Sequence, residues 1–144
     1  MSRQIRSLLW LPHSDPLLTS KSRPVTTGTV ADFLVDTDVF VDHLRGARAF
    51  DPKSHRVNYS VVTRAELFAG NSATEIVSIL LAPFREIDVR RDIAELAGRL
   101  RRESGIRLPD ALIAATAIEN KLSLFTRNRS DFAGIRGLRI REIG

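Results

Sequence analysis

The chain has 144 residues, 43% hydrophobic and 27% charged, with no cysteine, so it can bury one proper core and has neither disulfide staples nor thiolate metal sites. Its net charge of +5 points towards a polyanion, but the excess is uneven. Residues 1–31 carry Arg3, Arg6, Lys21 and Arg23 against Asp15 alone, whereas residues 32–144 hold 18 basic and 16 acidic groups.

"HSDPLLTSKSRPVTTGT" is rich in Ser, Thr and Pro and has no helical or strand periodicity. Residues 1–31 therefore read as a poorly structured N-terminal extension, ahead of a domain over 32–144. No apolar run approaches the roughly 20 residues that span a bilayer. The "IRSLLWLP" stretch lacks the cleavage site of a secretory signal, and a cytoplasmic protein is expected.

From Asp32 onward, strands and helices alternate. "DFLVD" (32–36) is a short apolar run of the kind buried on both faces of a sheet. "DVFVDHLRG" (38–46) turns helical and stops at Gly46, and "VNYS" (57–60) is a second strand. Thr63 with Glu66, and Ser72 with Glu75, have capping-box spacing and predict helix starts near each. "REIDV" (85–89) reads as a short strand. A helix over 92–105 follows, amphipathic through Ile93, Leu96, Ala97 and Leu100, with Gly105 as its stop. Pro109 suits the first turn of a helix over 110–121. "LSLFT" (122–126) is a strongly apolar strand, and "LRIREI" (138–143) alternates like an edge strand. This order predicts an α/β fold, a three-layer sandwich around a mostly parallel sheet.

In such sheets ligands bind beyond the carboxyl ends of the strands. Asp36 and Asp38 follow the first strand, Glu66 lies early in the helix after the second, Asp110 opens a helix, and Asp131 trails "LSLFT". Carboxylates brought together there repel one another unless a cation joins them. An all-oxygen donor set selects Mg²⁺ or Mn²⁺, and His13, His43 and His55 show no ligand spacing. Metal-activated water attacking a phosphodiester needs no protein nucleophile. Thr126 and Asn128 could orient a phosphate or a bound water. Taken singly, Asp38, Glu66 and Asp110 are also ordinary helix-start acids, Asp131 a turn residue, and Asp42 and Glu119 members of solvated helix faces. Asp36 resists such a reading, because it directly follows three apolar residues.

"FLVDTDVFVDHL", "SVVTRAELFAG", "LPDALIAATAIENKLSLFTRNRSDF" and "GLRI" resemble the PIN-domain nucleases, in particular the VapC toxins of bacterial toxin–antitoxin pairs. The resemblance runs from about Phe33 to Ile143. It implies a five-stranded parallel sheet, Mg²⁺-dependent endoribonuclease activity, a cognate VapB-type antitoxin and a homodimer that forms a heterotetramer or larger assembly with it. It also assigns the catalytic and metal-binding acids as Asp36, Glu66, Asp110 and Asp131, with Asp38 and Asn128 in support beside the Thr126 already read from the residues. The family's fourth acid falls at Asn128 in some members and in the "DF" pair, here Asp131, in others.

Two rivals remain. Asp36 and Asp38 also match the paired aspartates of haloacid-dehalogenase-type phosphatases, although the chain is short for that fold and Lys121 is the sole lysine after Lys53. Alternatively, the domain binds RNA or a protein partner without cutting.

Overall fold

The computed structural model describes residues 30–143, so nearly all of the expected N-terminal extension lies outside the described residues. Strand β1 (Asp32–Val35) is followed by helix α1 (Thr37–Leu44), β2 (Arg56–Ser60), α2 (Val61–Phe68), α3 (Thr74–Leu81) and β3 (Arg85–Ile87). Then come α4 (Arg91–Ser104), α5 (Leu108–Glu119), β4 (Ser123–Phe125) and a 3₁₀ turn (Arg129–Phe132). The strands form one parallel sheet in the order β3-β2-β1-β4. Leu34 pairs with Asn58 on one side and with Leu124 on the other, which makes β1 a central strand.

Alternation along β1 sends side chains to two different layers. Leu34 joins Ile93, Ala97, Ile113, Ala114 and Leu124 in a mainly aliphatic cluster under α4 and α5. Phe33 and Val35 join Phe40, Phe50, Tyr59, Leu80 and Phe125 in an aromatic cluster under the other helices. Both faces of the strand are thus dry, which is why its sequence is a continuous apolar run rather than an alternating one.

Two expectations need correction. The predicted fifth strand, "LRIREI", contributes a single parallel bridge, Leu124 to Ile140, so the sheet has four strands among the described residues. The carbonyl of Arg139 accepts from Leu124 N at 2.8 Å, and Arg141 N donates to the Leu124 carbonyl at 3.0 Å. Among the described residues these two bonds, both to Leu124, are the whole of the pairing, whereas on its other side β4 pairs with β1 over three residues. Helices do start near Thr63 and Ser72, as expected, but neither residue is the cap. Helix α2 begins earlier because Ser60 Oγ, at the end of β2, accepts from Val62 N at 3.0 Å. Thr63 is consequently a buried residue of the first turn. Helix α3 starts after Ala73, with no side-chain cap. By contrast, Gly105 ends α4 with a φ of 78°, a conformation that favours glycine.

Candidate active site

Strand order reverses between β1 and β4, since β1 leads on to β2 and β3 on one flank while β4 lies on the other. The carboxyl ends of β1 and β4 therefore flank the topological switch point, the usual ligand crevice of an open parallel sheet. Asp36 closes β1 there and Thr126 closes β4. Asp36 N donates to the Phe125 carbonyl at 2.9 Å, which fixes the two strand ends side by side.

Across this seam, Thr126 Oγ1 donates to Asp36 Oδ2 at 2.8 Å, and it approaches Asp38 Oδ2 at 3.4 Å. The same hydroxyl accepts from Asn128 N at 3.0 Å. Asp36 is also the N-cap of α1, its Oδ1 accepting from Thr37 N at 2.8 Å. Asp38 receives Arg127 N at 3.2 Å. One threonine hydroxyl thus ties together the acids of "DTD" and the "TRN" segment.

The electrostatics of Asp36 are unusual. Its carboxyl is pushed up from the ordinary 3.8 to about 7. Burial is the main cause, followed by repulsion from Asp38; hydrogen bonds from Thr126 and Thr37 oppose the rise, and Asp110 adds a smaller repulsion. Burial likewise raises Asp38 from its ordinary value, against the donors Arg127 N and Thr126 Oγ1. Among the described residues, none of the ion pairs involves Asp36. A buried acid facing two like charges with no cation beside it is a costly arrangement.

The remaining predicted residues reach this end of the sheet by separate routes. Asp110 lies in the first turn of α5, is 8% exposed, and is close enough to Asp36 to repel it. Glu66 projects from α2, and its Oε1 accepts from Thr37 Oγ1 at 2.7 Å, one residue from Asp36. Asp131, on the exposed 3₁₀ turn, accepts from Asn128 Nδ2. Asp36, Asp38 and Asp110 therefore form an electrostatic group, whereas Glu66 and Asp131 connect to it only through Thr37 and through Asn128. Among the described residues no three carboxylate or imidazole groups stand close enough to hold one ion between them.

A hard divalent ion nevertheless fits the chemistry of the donors. Mg²⁺ keeps several waters and is commonly held by one or two carboxylates together with substrate phosphates, so a preformed cage is not required. Asp36 has the uncompensated negative charge that such an ion neutralises.

Sequence reasoning missed two supporting contacts. Thr63 Oγ1 lies 2.9 Å from Thr37 Oγ1, and because Thr37 donates to Glu66, the Thr63 hydroxyl is the donor to Thr37. Asp42, read as a solvated acid, instead holds Arg127 Nη1 at 3.0 Å, and that guanidinium lies 5.9 Å from the Phe125 ring centroid. The "TRN" arginine was the available signal, since an arginine so close to a buried strand end needs a partner.

The fold is a small α/β domain with a parallel sheet and acids at its switch point. Comparison with known proteins makes the class specific: the PIN domain matches residues 33–138, and the chain belongs to that family. Ribonuclease VapC10 of Mycobacterium tuberculosis is 39% identical over 108 residues, covering 66% of this chain and 81% of that protein. A toxin–antitoxin complex from Klebsiella pneumoniae includes a chain 34% identical, with a TM-score of 0.60, covering 76% of this chain and 98% of that one. VapBC-5, a VapBC toxin–antitoxin system from Mycobacterium tuberculosis, is 31% identical with a TM-score of 0.57, covering 78% of this chain and 99% of that one.

Proposed function

We propose that this chain is a VapC-type toxin, an endoribonuclease that hydrolyses RNA phosphodiester bonds with the help of Mg²⁺ or Mn²⁺. The observation that carries this reading is the uncompensated, buried Asp36 at the switch point, repelled by Asp38 and Asp110. A bound divalent ion supplies activation of the attacking water and neutralisation of charge on the leaving oxygen. Asp36 and Asp110 would hold that ion, with Glu66 and Asp131 completing its surroundings. Thr126 fixes the Asp36 carboxylate by a direct hydrogen bond, and Thr37 orients Glu66. Asp38 and Asn128 are positioned by the main chain of Arg127 and by the Thr126 hydroxyl, and act as supports.

The identity to VapC10, over most of that protein's length, supports ribonuclease activity here. Likeness to chains of toxin–antitoxin complexes supports a VapB-type antitoxin as partner, and the same proposal includes a homodimer within a larger assembly. Among the described residues no helix is long and apolar enough to cross a membrane, in keeping with a cytoplasmic site of action. The phosphatase reading has no comparable support, since α1 begins directly at Thr37 and ties Asp36 into its cap. The test is incubation of the purified chain with total RNA. Cleavage in Mg²⁺ that stops with EDTA is expected, with no release of phosphate from a small phosphomonoester. Metal-independent binding without cleavage would overturn the reading.

A further inference from the structure

Arg107 precedes α5 and occupies its N-cap position without capping it through a side-chain hydrogen bond. Its side chain reaches forward instead, placing Nε 3.4 Å and Nη2 3.3 Å from Asp110 Oδ2. The two partners differ in exposure, the arginine side chain being 72% accessible and the aspartate 12%. Both contacts are long and fall on a single oxygen, and the guanidinium keeps most of its water. A pair of this kind is held weakly. Asp110 already gains from the helix N-terminus, so α5 does not depend on the arginine.

Neighbouring arginines are committed elsewhere. Arg101 donates to the carbonyls of Gly105 and Ile106 at 2.8 and 2.9 Å, closing the end of α4. Arg127 is locked onto Asp42 and is only 14% exposed. Arg107 is therefore a cation at the rim of the acidic group that can leave its partner at little cost.

Resting on the reading of Asp110 as an ion ligand, we propose that Arg107 is an exchangeable counter-cation. It neutralises Asp110 while no divalent ion is present. When an ion takes the Asp110 carboxylate, two positive groups compete for the same oxygen, and the flexible, hydrated one yields. The released guanidinium stays tethered next to the ion, where its planar fork matches two oxygens of an RNA phosphate. Arg107 thus opposes metal binding in the free protein and assists substrate binding in the loaded one.

The test uses the full chain with Arg107→Gln and Arg107→Lys. Calorimetric titration with Mn²⁺ should show Arg107→Gln binding the ion about two- to fivefold more tightly than wild type, the range set by loss of a weak exposed pair. Arg107→Lys should stay near wild type, because the competing charge survives. In RNA cleavage assays Arg107→Gln should raise KM about three- to tenfold with kcat changed less than about twofold, and reduce the salt dependence of 1/KM by about one phosphate contact. Unchanged or weaker Mn²⁺ binding by Arg107→Gln overturns the counter-cation role, and an unchanged KM overturns the phosphate role. A wild-type chain that takes up no Mn²⁺ and cuts no RNA sinks the nuclease reading instead, so the two failures are distinguishable.

Discussion

The end of β1 and the turn after β4 both carry an acid beyond a carboxyl end of the sheet, yet their physical situations are opposite. Asp36 is 5% exposed, anchored by two donors and raised to about 7. Asp131 is exposed on a 3₁₀ turn and bonded to the amide of a neighbouring exposed residue, Asn128. The first acid burdens the fold, while the second costs it almost nothing. A burdensome residue held in place by its surroundings is the mark of function, because the cap it makes for α1 needs no charge and an Asn would serve. An inexpensive surface acid has no such mark, and only substitution can assign it a role.

The largest expected effect follows from replacing Asp36 with the nearly isosteric Asn. RNA cleavage should fall by more than ~100-fold, beyond what removal of an outer-shell partner of a metal ligand costs. Stability in EDTA at pH 8 should move the other way and rise by roughly 1–3 kcal/mol, since a neutral amide escapes both burial of charge and repulsion. Thr126 can turn its hydroxyl to accept from the new amide. Thermal unfolding together with cleavage rates checks both halves. An Asn variant that is less stable at pH 8 without metal would remove the contrast between the two regions.

Next in size is the coupling of pH and metal. The folded-state pKa of Asp36 is raised, so between about 4 and 7 the native protein holds a proton that the unfolded chain has lost. Stability without metal should therefore decline as pH rises through that window, and the full burden is present by pH 8. At pH 5 the advantage of Asp36→Asn should fade. Mg²⁺ should reverse the decline, adding about 2.7 kcal/mol when present at a hundred times its Kd. That gain should vanish in Asp36→Asn. Melting curves from pH 5 to 8, with and without Mg²⁺, decide the matter.

Between these extremes stands Thr126→Val, which preserves shape but removes the hydroxyl joining the two regions. Buried Asp36 loses a donor and Asn128 N an acceptor. A stability loss of about 1–3 kcal/mol and a cleavage loss of ~10–100-fold are expected. Thr126→Ser, which keeps the oxygen, should recover most of the activity. Equal damage from Val and Ser would show that the hydroxyl alone does not carry the effect.

How legible the molecule was in its sequence depends on the same distinction. The end of β1 could be read because "FLVD" sets an acid directly behind a run that only a two-sided sheet explains, and α4 announced itself through Ile93, Ala97, Leu100 and the terminal Gly105. The starts of α2 and α3 fell near Thr63 and Ser72 as expected, but the caps were misread because S/T-x-x-E spacing arises often by chance. The real cap, Ser60, belongs to the preceding strand and is visible only once the strand's end is known. "LRIREI" alternates correctly for an edge strand, but alternation does not say how many ladder bonds a segment makes, and this one makes a single bridge. Spacing could nominate Glu66 and Asp110 for the crevice. It could not show that one is reached through Thr37 and the other borders Arg107.

The smallest effect separates Asn128 from Asp131. Both side chains are exposed and joined to each other, so substituting either should alter stability by no more than about 0.5 kcal/mol. Any loss of cleavage is then free of folding artefacts. The main chain of Asn128 is anchored to Thr126, which keeps this turn at the seam whichever side chain is removed. If Asp131 supplies an oxygen to the ion, Asp131→Asn should weaken Mn²⁺ binding and cleavage by about tenfold, with Asn128→Ala weaker in both effects. If Asn128 is the ligand, the ranking inverts, and Asn128→Asp should strengthen Mn²⁺ binding, since a charged oxygen outbids an amide for a hard ion. Titration of the three variants orders them directly. Identical Mn²⁺ affinity across all three would confine the ion to the buried end of β1 and leave the exposed turn to RNA.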